Sequence, residues 1–234
     1  MIWTKDSTKL INFIIQGYFR SRLQPYDKIT VSEIGHHANL IPWLIVAEQA
    51  DTKIVKWPLE ETKQLSIKHP TALINTRARI IVISQMSNVN GEQPDIQAIT
   101  KLVHQHNILV VADSAQGIVH RGLEVQALDI DFYVFSAHKL YGPTGLGICD
   151  GKIALLAEIA PCKGGKILTK ANFSHFTAEA ILYGFEAGKP NIARVLAFNA
   201  VIDWMKAINW QQAENYAITL TDYTELTNYF ILFH

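Results

Sequence analysis

What most restricts this chain is a rhythm. Short runs of β-branched and aromatic residues, each long enough for one strand, alternate with stretches of helix length. "DKITVS" is followed by "NLIPWLIVAEQA", "TKIVKWP" by a polar helix-like stretch, and "ARIIVISQMS" by "PDIQAITKLVHQHN"; then come "ILVVADSAQG", "DIDFYVFSAHK" and "GLGICDGK". Strands separated by helices in this way build βαβ units around a mostly parallel sheet, so the fold class is α/β. In "PDIQAITKLVHQHN", Pro94 stands at a helix start, and Ile96, Ile99, Leu102 and Val103 share one face. That stretch runs directly into the strand "ILVVAD", as a crossover helix does. After residue 151 the pattern changes to a Gly/Lys loop, "PCKGGKILTK", and then to a mostly apolar helix over about residues 191–205. A last helix puts Trp210, Ala213, Tyr216, Leu220 and Tyr223 on one face, a stripe that reads as core packing rather than as a cofactor box.

Composition removes several function classes. A chain of 234 residues can bury a sizeable core. With 21 basic and 21 acidic residues, no basic stripe and no acidic tail, it is not expected to bind nucleic acid or a membrane surface. "MIWTKDSTKLINFII" lacks the basic start and small-residue cleavage site of a signal peptide, and no apolar run reaches membrane-spanning length. The two cysteines, Cys149 and Cys162, form neither a disulfide framework nor a zinc spacing, which fits a reducing, cytoplasmic setting. His36 and His37 are adjacent, and His104 and His106 are two apart on a helix. Neither pair faces one point, so no metal is expected, and His104 and His106 read as solvated helix residues.

The polar residues fall where strands end. "ITVSEIGHHANL" delivers His36, "IVISQMSNVNG" delivers Asn88, "LVVADSAQG" delivers Asp113 and Gln116, and "FYVFSAHK" delivers Ser136, His138 and Lys139. Each alone has an ordinary explanation, such as a helix cap for the aspartate or a turn for Asn88. Together they point to one small-molecule site at the carboxyl edge of the sheet. A lysine there can hold a phosphate or form a Schiff base. "GPTGLG" follows Lys139 where a P-loop would need GxxxxGK[ST], so the nucleotide reading is rejected. A Schiff base to pyridoxal phosphate needs a carboxylate opposite the ring nitrogen, for which Asp113 is suited. His36 is suited to stack on the ring, and Asn88 and Gln116 to bond its phenolic oxygen. Ser136, His138, and Ser7 and Thr8 at the start of the first helix are suited to hold the phosphate.

These residues have a familiar arrangement. "HHANLIPW", "QMSNVNG", "VVADSAQG" and above all "DIDFYVFSAHKLYGPTGLG" closely resemble the cysteine desulfurases of the class V aminotransferase family, in the group that includes the selenocysteine lyase-like enzymes. The resemblance runs from about residue 3 to about residue 210. It implies a pyridoxal-phosphate-dependent fold type I homodimer that takes sulfur from L-cysteine, leaving alanine and an enzyme persulfide. By position, Lys139 matches the Schiff-base lysine, Asp113 the pyridinium partner and His36 the ring-stacking histidine credited with proton transfer. Gln116 and Asn88 match the phenolic-oxygen ligands, and Thr8, Ser136 and His138 the phosphate ligands.

The chain also departs from that pattern. Where the family has Gly-Thr-Thr it has "DSTK", so Asp6 sets a carboxylate beside the expected phosphate and should weaken its binding. Lys189, in "FEAGKPN", replaces a threonine expected to reach a partner subunit's phosphate, and Gly35 replaces a glutamate. The expectation is a pyridoxal-phosphate-binding large domain over residues 1–208, incomplete at its start. A truncated helix over 209–234 would then lead towards an absent C-terminal small domain, and part of its apolar stripe would be exposed as a surface for a partner. That small domain carries the family's nucleophilic cysteine and substrate-carboxylate arginines. Cys149 and Cys162 read as buried or loop residues instead, so desulfuration of an L-cysteine-like substrate is expected to be impaired. The alternatives are an inactive remnant of an interrupted gene, or a non-catalytic partner of a full-length homologue.

Overall fold

The computed structural model describes residues 1–62, 64–65, 73–120, 125–160, 168–171, 176–178, 185 and 189–226. The elements run β1 (Ile2–Thr4), α1 (Ser7–Ile14), β2 (Lys28–Ser32), α2 (Ile41–Gln49), β3 (Lys53–Trp57) and β4 (Ala78–Ser84). They continue with α3 (Ile96–His104), β5 (Leu109–Asp113), the single turns α4 (Gly117–His120) and α5 (Val125–Leu128), and β6 (Phe132–Ser136). Then follow β7 (Gly147–Gly151), α6 (Ile153–Ala157), β8 (Leu168–Ala171), β9 (Phe176–Ala178), α7 (Ile192–Met205) and α8 (Trp210–Leu226). No helix among the described residues is long and apolar enough to cross a membrane.

Seven strands form one sheet in the order β1-β7-β6-β5-β4-β2-β3, and β8 pairs with β9 separately. The pairs from β3 through β6 are parallel; β7 runs antiparallel to β6, and β1 antiparallel to β7. The mostly parallel sheet is thus as the alternating pattern implies, with β7 reversed because a short turn rather than a crossover helix joins it to β6.

Alternation along the strands sorts their side chains onto two apolar layers. Ile80 and Val82 of β4, Val111 of β5, and Phe132 and Val134 of β6 face α1 and α2, whose Leu10, Ile11, Ile14, Trp43 and Val46 complete that core. Ile81, Ile83, Val110, Ala112 and Tyr133 face the other way, against Ile96, Ile99 and Val103 of α3. Leu102 is only half-buried, so the face of α3 that matters is completed by Thr100 instead. Pro94 lies just outside α3, whose cap is Asp95, with its carboxylate accepting the Ala98 N–H at 2.9 Å. A smaller cluster of Ala137, Leu140, Leu146 and Ile148 seats Phe198 of α7.

The last helix packs over only part of its stripe. Trp210 is half-buried, with its ring centroid 6.4 Å from that of Tyr141, but Tyr216, Leu220 and Tyr223 of the stripe lie on the surface.

Candidate functional site

The parallel strands β2, β4, β5 and β6 all end on one edge of the sheet, and β1, antiparallel to its antiparallel neighbour β7, ends there too. Between β2 and β4 the order of connection reverses, since β3 lies outside β2 while β5 and β6 lie beyond β4. Such a switch point leaves a crevice between diverging connections, where open α/β sheets bind ligands. A cavity of about 350 Å³ occurs at this edge, and all nine residues singled out from the sequence line it.

They arrive on different elements. Asp113 is the last residue of β5, and Gln116 lies in the turn after it. Asn88 follows β4 by four positions, in a turn. Ser136 ends β6, but His138 and Lys139 stand on a separate one-turn 3₁₀ helix, Ala137–Lys139, not on the strand. That turn is pinned by bonds from Ala137 N–H to the Leu146 carbonyl (2.9 Å) and from the Leu140 and Gly142 N–H groups to the Ala137 carbonyl (2.8 Å each). Lys139 is therefore held by a short rigid turn while its side chain remains exposed to the cavity. His36 is likewise beyond its strand and caps the 3₁₀ turn His37–Asn39. Its Nδ1 accepts the Ala38 N–H at 3.0 Å, which places any single ring proton on Nε2.

Ser7 and Thr8 open α1. The Ser7 N–H donates to Ser136 Oγ at 2.8 Å, and the Ser136 hydroxyl donates to Ser7 Oγ at 3.1 Å, so the first turn of α1 is tied to the end of β6. Gly147 makes this approach possible, since a Cβ there would lie 2.5 Å from the Asp6 carbonyl carbon.

Charge in the cavity is uneven. Asp113 is 6% exposed, and burial raises its carboxyl above the usual aspartate range. An N–H bond from Ala115 and the positive fields of His36 and Lys139 oppose that rise without cancelling it. A buried carboxylate kept short of partners is suited to receive a cationic N–H from a ligand.

Five lining residues were not among the predicted ligands: Asp6, Ala38, Ser84, Met86 and Ala115. Ser84 had a signal, being the one polar residue in "ARIIVIS" apart from Arg79. Asp6 was anticipated only as a neighbour of the phosphate. Three roomier cavities, of about 540, 440 and 620 Å³, bring no lysine together with a buried carboxylate. Lys189 lines the first of these rather than the candidate site of its own chain.

His104 is not a solvated helix residue. Its Nε2 lies 2.8 Å from the buried Asp131 and its Nδ1 3.1 Å from Asp129, and Lys152 reaches both carboxylates at 2.9 and 2.8 Å. The available signal was the pair of aspartates in "DID" just before β6. Cys149 is fully buried in β7, its thiol pushed up to about 12 by burial and then by Asp150. It lines none of the cavities described here. Cys162 lies outside the described residues.

Residues 1–227 match the model of the aminotransferase class V family. The chain is 43% identical over 226 residues to the cysteine desulfurase CsdA of Escherichia coli, an alignment covering 96% of the chain and 56% of that protein. It is also 43% identical over 210 residues to a probable cysteine desulfurase of Vibrio cholerae, covering 89% and 52%. The chain thus spans about half the length of the curated relatives it matches. The crystal structure of E. coli CsdA superposes with a TM-score of 0.92 over 96% of the chain and 56% of the neighbour. The apo cysteine desulfurase of Thermococcus onnurineus, 23% identical, superposes at 0.90 over the same shares and extends the likeness of fold.

Proposed function

Because the chain belongs to the class V aminotransferase family, in its cysteine desulfurase-like group, we propose that this edge of the sheet is a pyridoxal phosphate site with Lys139 as the residue that captures the aldehyde. The observation that carries the reading is the convergence of a lysine amine, a buried carboxylate, two side-chain amides and a cluster of hydroxyls on one cavity at the switch point. That donor set fits the group end to end, with Asp6 as the one residue that opposes it.

Pyridoxal phosphate, when bound, supplies an aldehyde for an amine and a ring that withdraws electrons from the carbon bearing that amine. The remaining work falls to the protein. Asp113 would hold the ring nitrogen protonated, and in doing so would gain the cationic partner its burial lacks. His36 would cover one ring face and, with a proton on Nε2, stand as a proton donor beside it. Asn88 and Gln116 would bond the phenolic oxygen. Ser7, Thr8, Ser136 and His138 would take the phosphate. Lys139 would be the amine that holds the aldehyde and, when free, would take up or return a proton at its Nζ.

The substrate class that follows is a small L-amino acid of the cysteine type, as the relatives' names suggest. Sulfur transfer also needs a thiolate to receive the sulfur. Cys149, buried and with its thiol pushed up to about 12, cannot serve. The described residues therefore account for cofactor capture but not for sulfur acceptance, and the acceptor has to come from outside them. A second reading, a non-catalytic partner of a full-length homologue, draws on the exposed apolar side chains of α2, namely Ile41, Leu44 and Ile45.

The test is capture. Purified protein incubated with pyridoxal phosphate and then borohydride should carry one pyridoxyl mass on the peptide containing Lys139, and Lys139→Ala should carry none. Labelling scattered over surface lysines, unchanged in Lys139→Ala, would sink the reading.

A further inference from the structure

The end of the cavity that would receive a phosphate is already partly filled by the chain itself. Helix α1 starts there, and its first three amides, those of Ser7, Thr8 and Lys9, are the ones an anion would use. The Asp6 carboxylate takes the Lys9 N–H at 2.7 Å, and Ser136 Oγ takes the Ser7 N–H at 2.8 Å. Among the described residues only the Thr8 N–H is left without a hydrogen bond in that turn. Asp6 cannot withdraw by backbone movement. Its main chain lies against Gly147, with its carbonyl carbon 2.5 Å from where a Cβ of that glycine would be, and the Thr4 hydroxyl donates to its carbonyl at 3.0 Å.

Resting on the pyridoxal phosphate reading of the site, we propose that Asp6 determines which form of the aldehyde the cavity takes, by holding back the contribution of the phosphate. A doubly negative group brought to this turn meets a fixed like charge and one free amide instead of three. The hydroxyls of Ser7 and Thr8 and the His138 ring remain as its partners. An aldehyde with an uncharged arm, pyridoxal itself, meets neither the repulsion nor the loss. The chain thus binds the phosphorylated and unphosphorylated aldehydes with similar affinity. Its contacts to the ring and to Lys139 carry the binding, and Asp6 is a specificity-determining residue rather than a helix cap alone.

Spectral titration of the full chain with pyridoxal phosphate and, separately, with pyridoxal gives the two dissociation constants without any turnover. Asp6→Asn keeps a good cap and the shape of the side chain while removing its charge. The wild-type constants should lie within about fivefold of each other. In Asp6→Asn the constant for pyridoxal phosphate should fall at least tenfold, with that for pyridoxal unchanged. Raising the salt should strengthen wild-type binding of pyridoxal phosphate and leave the variant less affected. Equal affinity for pyridoxal phosphate in wild type and Asp6→Asn, both folded by circular dichroism, overturns the proposal and leaves the cofactor site standing. If neither aldehyde labels Lys139 in either folded protein, the site reading fails and the proposal fails with it.

Discussion

Asp113 shows how a single side chain can be shaped for a ligand at the expense of the fold. Its carboxyl is raised by burial, so the folded protein holds that proton more tightly than the unfolded chain does. Stability therefore falls as pH rises from the ordinary aspartate value of 3.8 through the higher folded value, the reverse of a salt-bridged carboxylate. Asp113→Asn keeps an oxygen for the Ala115 N–H and removes the buried charge. We expect it to resist urea better at pH 7 by roughly 1–3 kcal/mol, the usual cost of an uncompensated buried polar group. The same variant should lose cofactor capture. Urea midpoints and borohydride labelling, measured together, check both halves; a destabilised variant would contradict the argument. The strand-end positions of Asp113 and Ser136 could be read directly from sequence, because hydrophobic runs announce where strands stop; the separate 3₁₀ turn that carries Lys139 could not. Met86, Ala38 and Ala115 could not, since an apolar or small residue near a turn carries no mark of the cavity it lines. His104 was misread because its partners, Asp129 and Asp131, lie 25 and 27 positions away.

At the scale of elements, the His104 cluster binds together parts that the sheet alone does not. The carboxylate of Asp131 accepts the Val110 N–H at 2.7 Å as well as the bond to His104, so α3, β5 and the approaches to β6 and α6 meet at one side chain. Lys152 holds Asp129 below the usual carboxylate range, with His104 helping. Burial pulls Lys152 down, but its bonds to Asp129 and Asp131 outweigh this and hold it above the usual lysine range. The contribution of Asp129 is complete above 3.8 and is lost as pH falls through its lower folded value; that of Lys152 is complete below 10.5 and is lost as pH rises through its higher one. Lys152→Met should cost about 1 kcal/mol at neutral pH, mostly through the buried Asp131, because the exposed Asp129 pair is screened. It should also flatten the decline in stability at both extremes, which urea midpoints across pH would show. Gly147 matters at the same scale, since any side chain there would push the start of α1 away from β6 and take Ser7 and Thr8 with it.

For the molecule as a whole, the alternation of strand and helix was enough to give a mostly parallel α/β sheet, with the polar strand ends gathered at its carboxyl edge. It did not give the reversal of β7, because the Gly/Pro-containing turn after Lys139 is compatible with either direction until its pairing is known. α8 shows much of its apolar stripe. Tyr216 and Ile218 are 65% and 52% exposed, which is surface available to another molecule. Tyr216→Glu with Ile218→Lys should leave the urea midpoint within about 0.5 kcal/mol of wild type. Concentration-dependent self-association, followed by sedimentation, should weaken; a large loss of stability would instead mean that this face is packed in solution. The pairing of β1 with β7 sets a schedule as well as a shape. Ile2 is opposite Cys149, and Ser7 is bonded to Ser136, 129 positions further along. A ribosome adding roughly 5–20 residues per second releases the first residues many seconds before their partners exist. Until β7 emerges, the opening segment of the nascent chain has no strand to join, and the turn bearing Ser7 and Thr8 has nowhere to dock. The pocket is therefore complete only once β7 has formed, and a ligand arriving earlier would meet it without Ser7 and Thr8 in place.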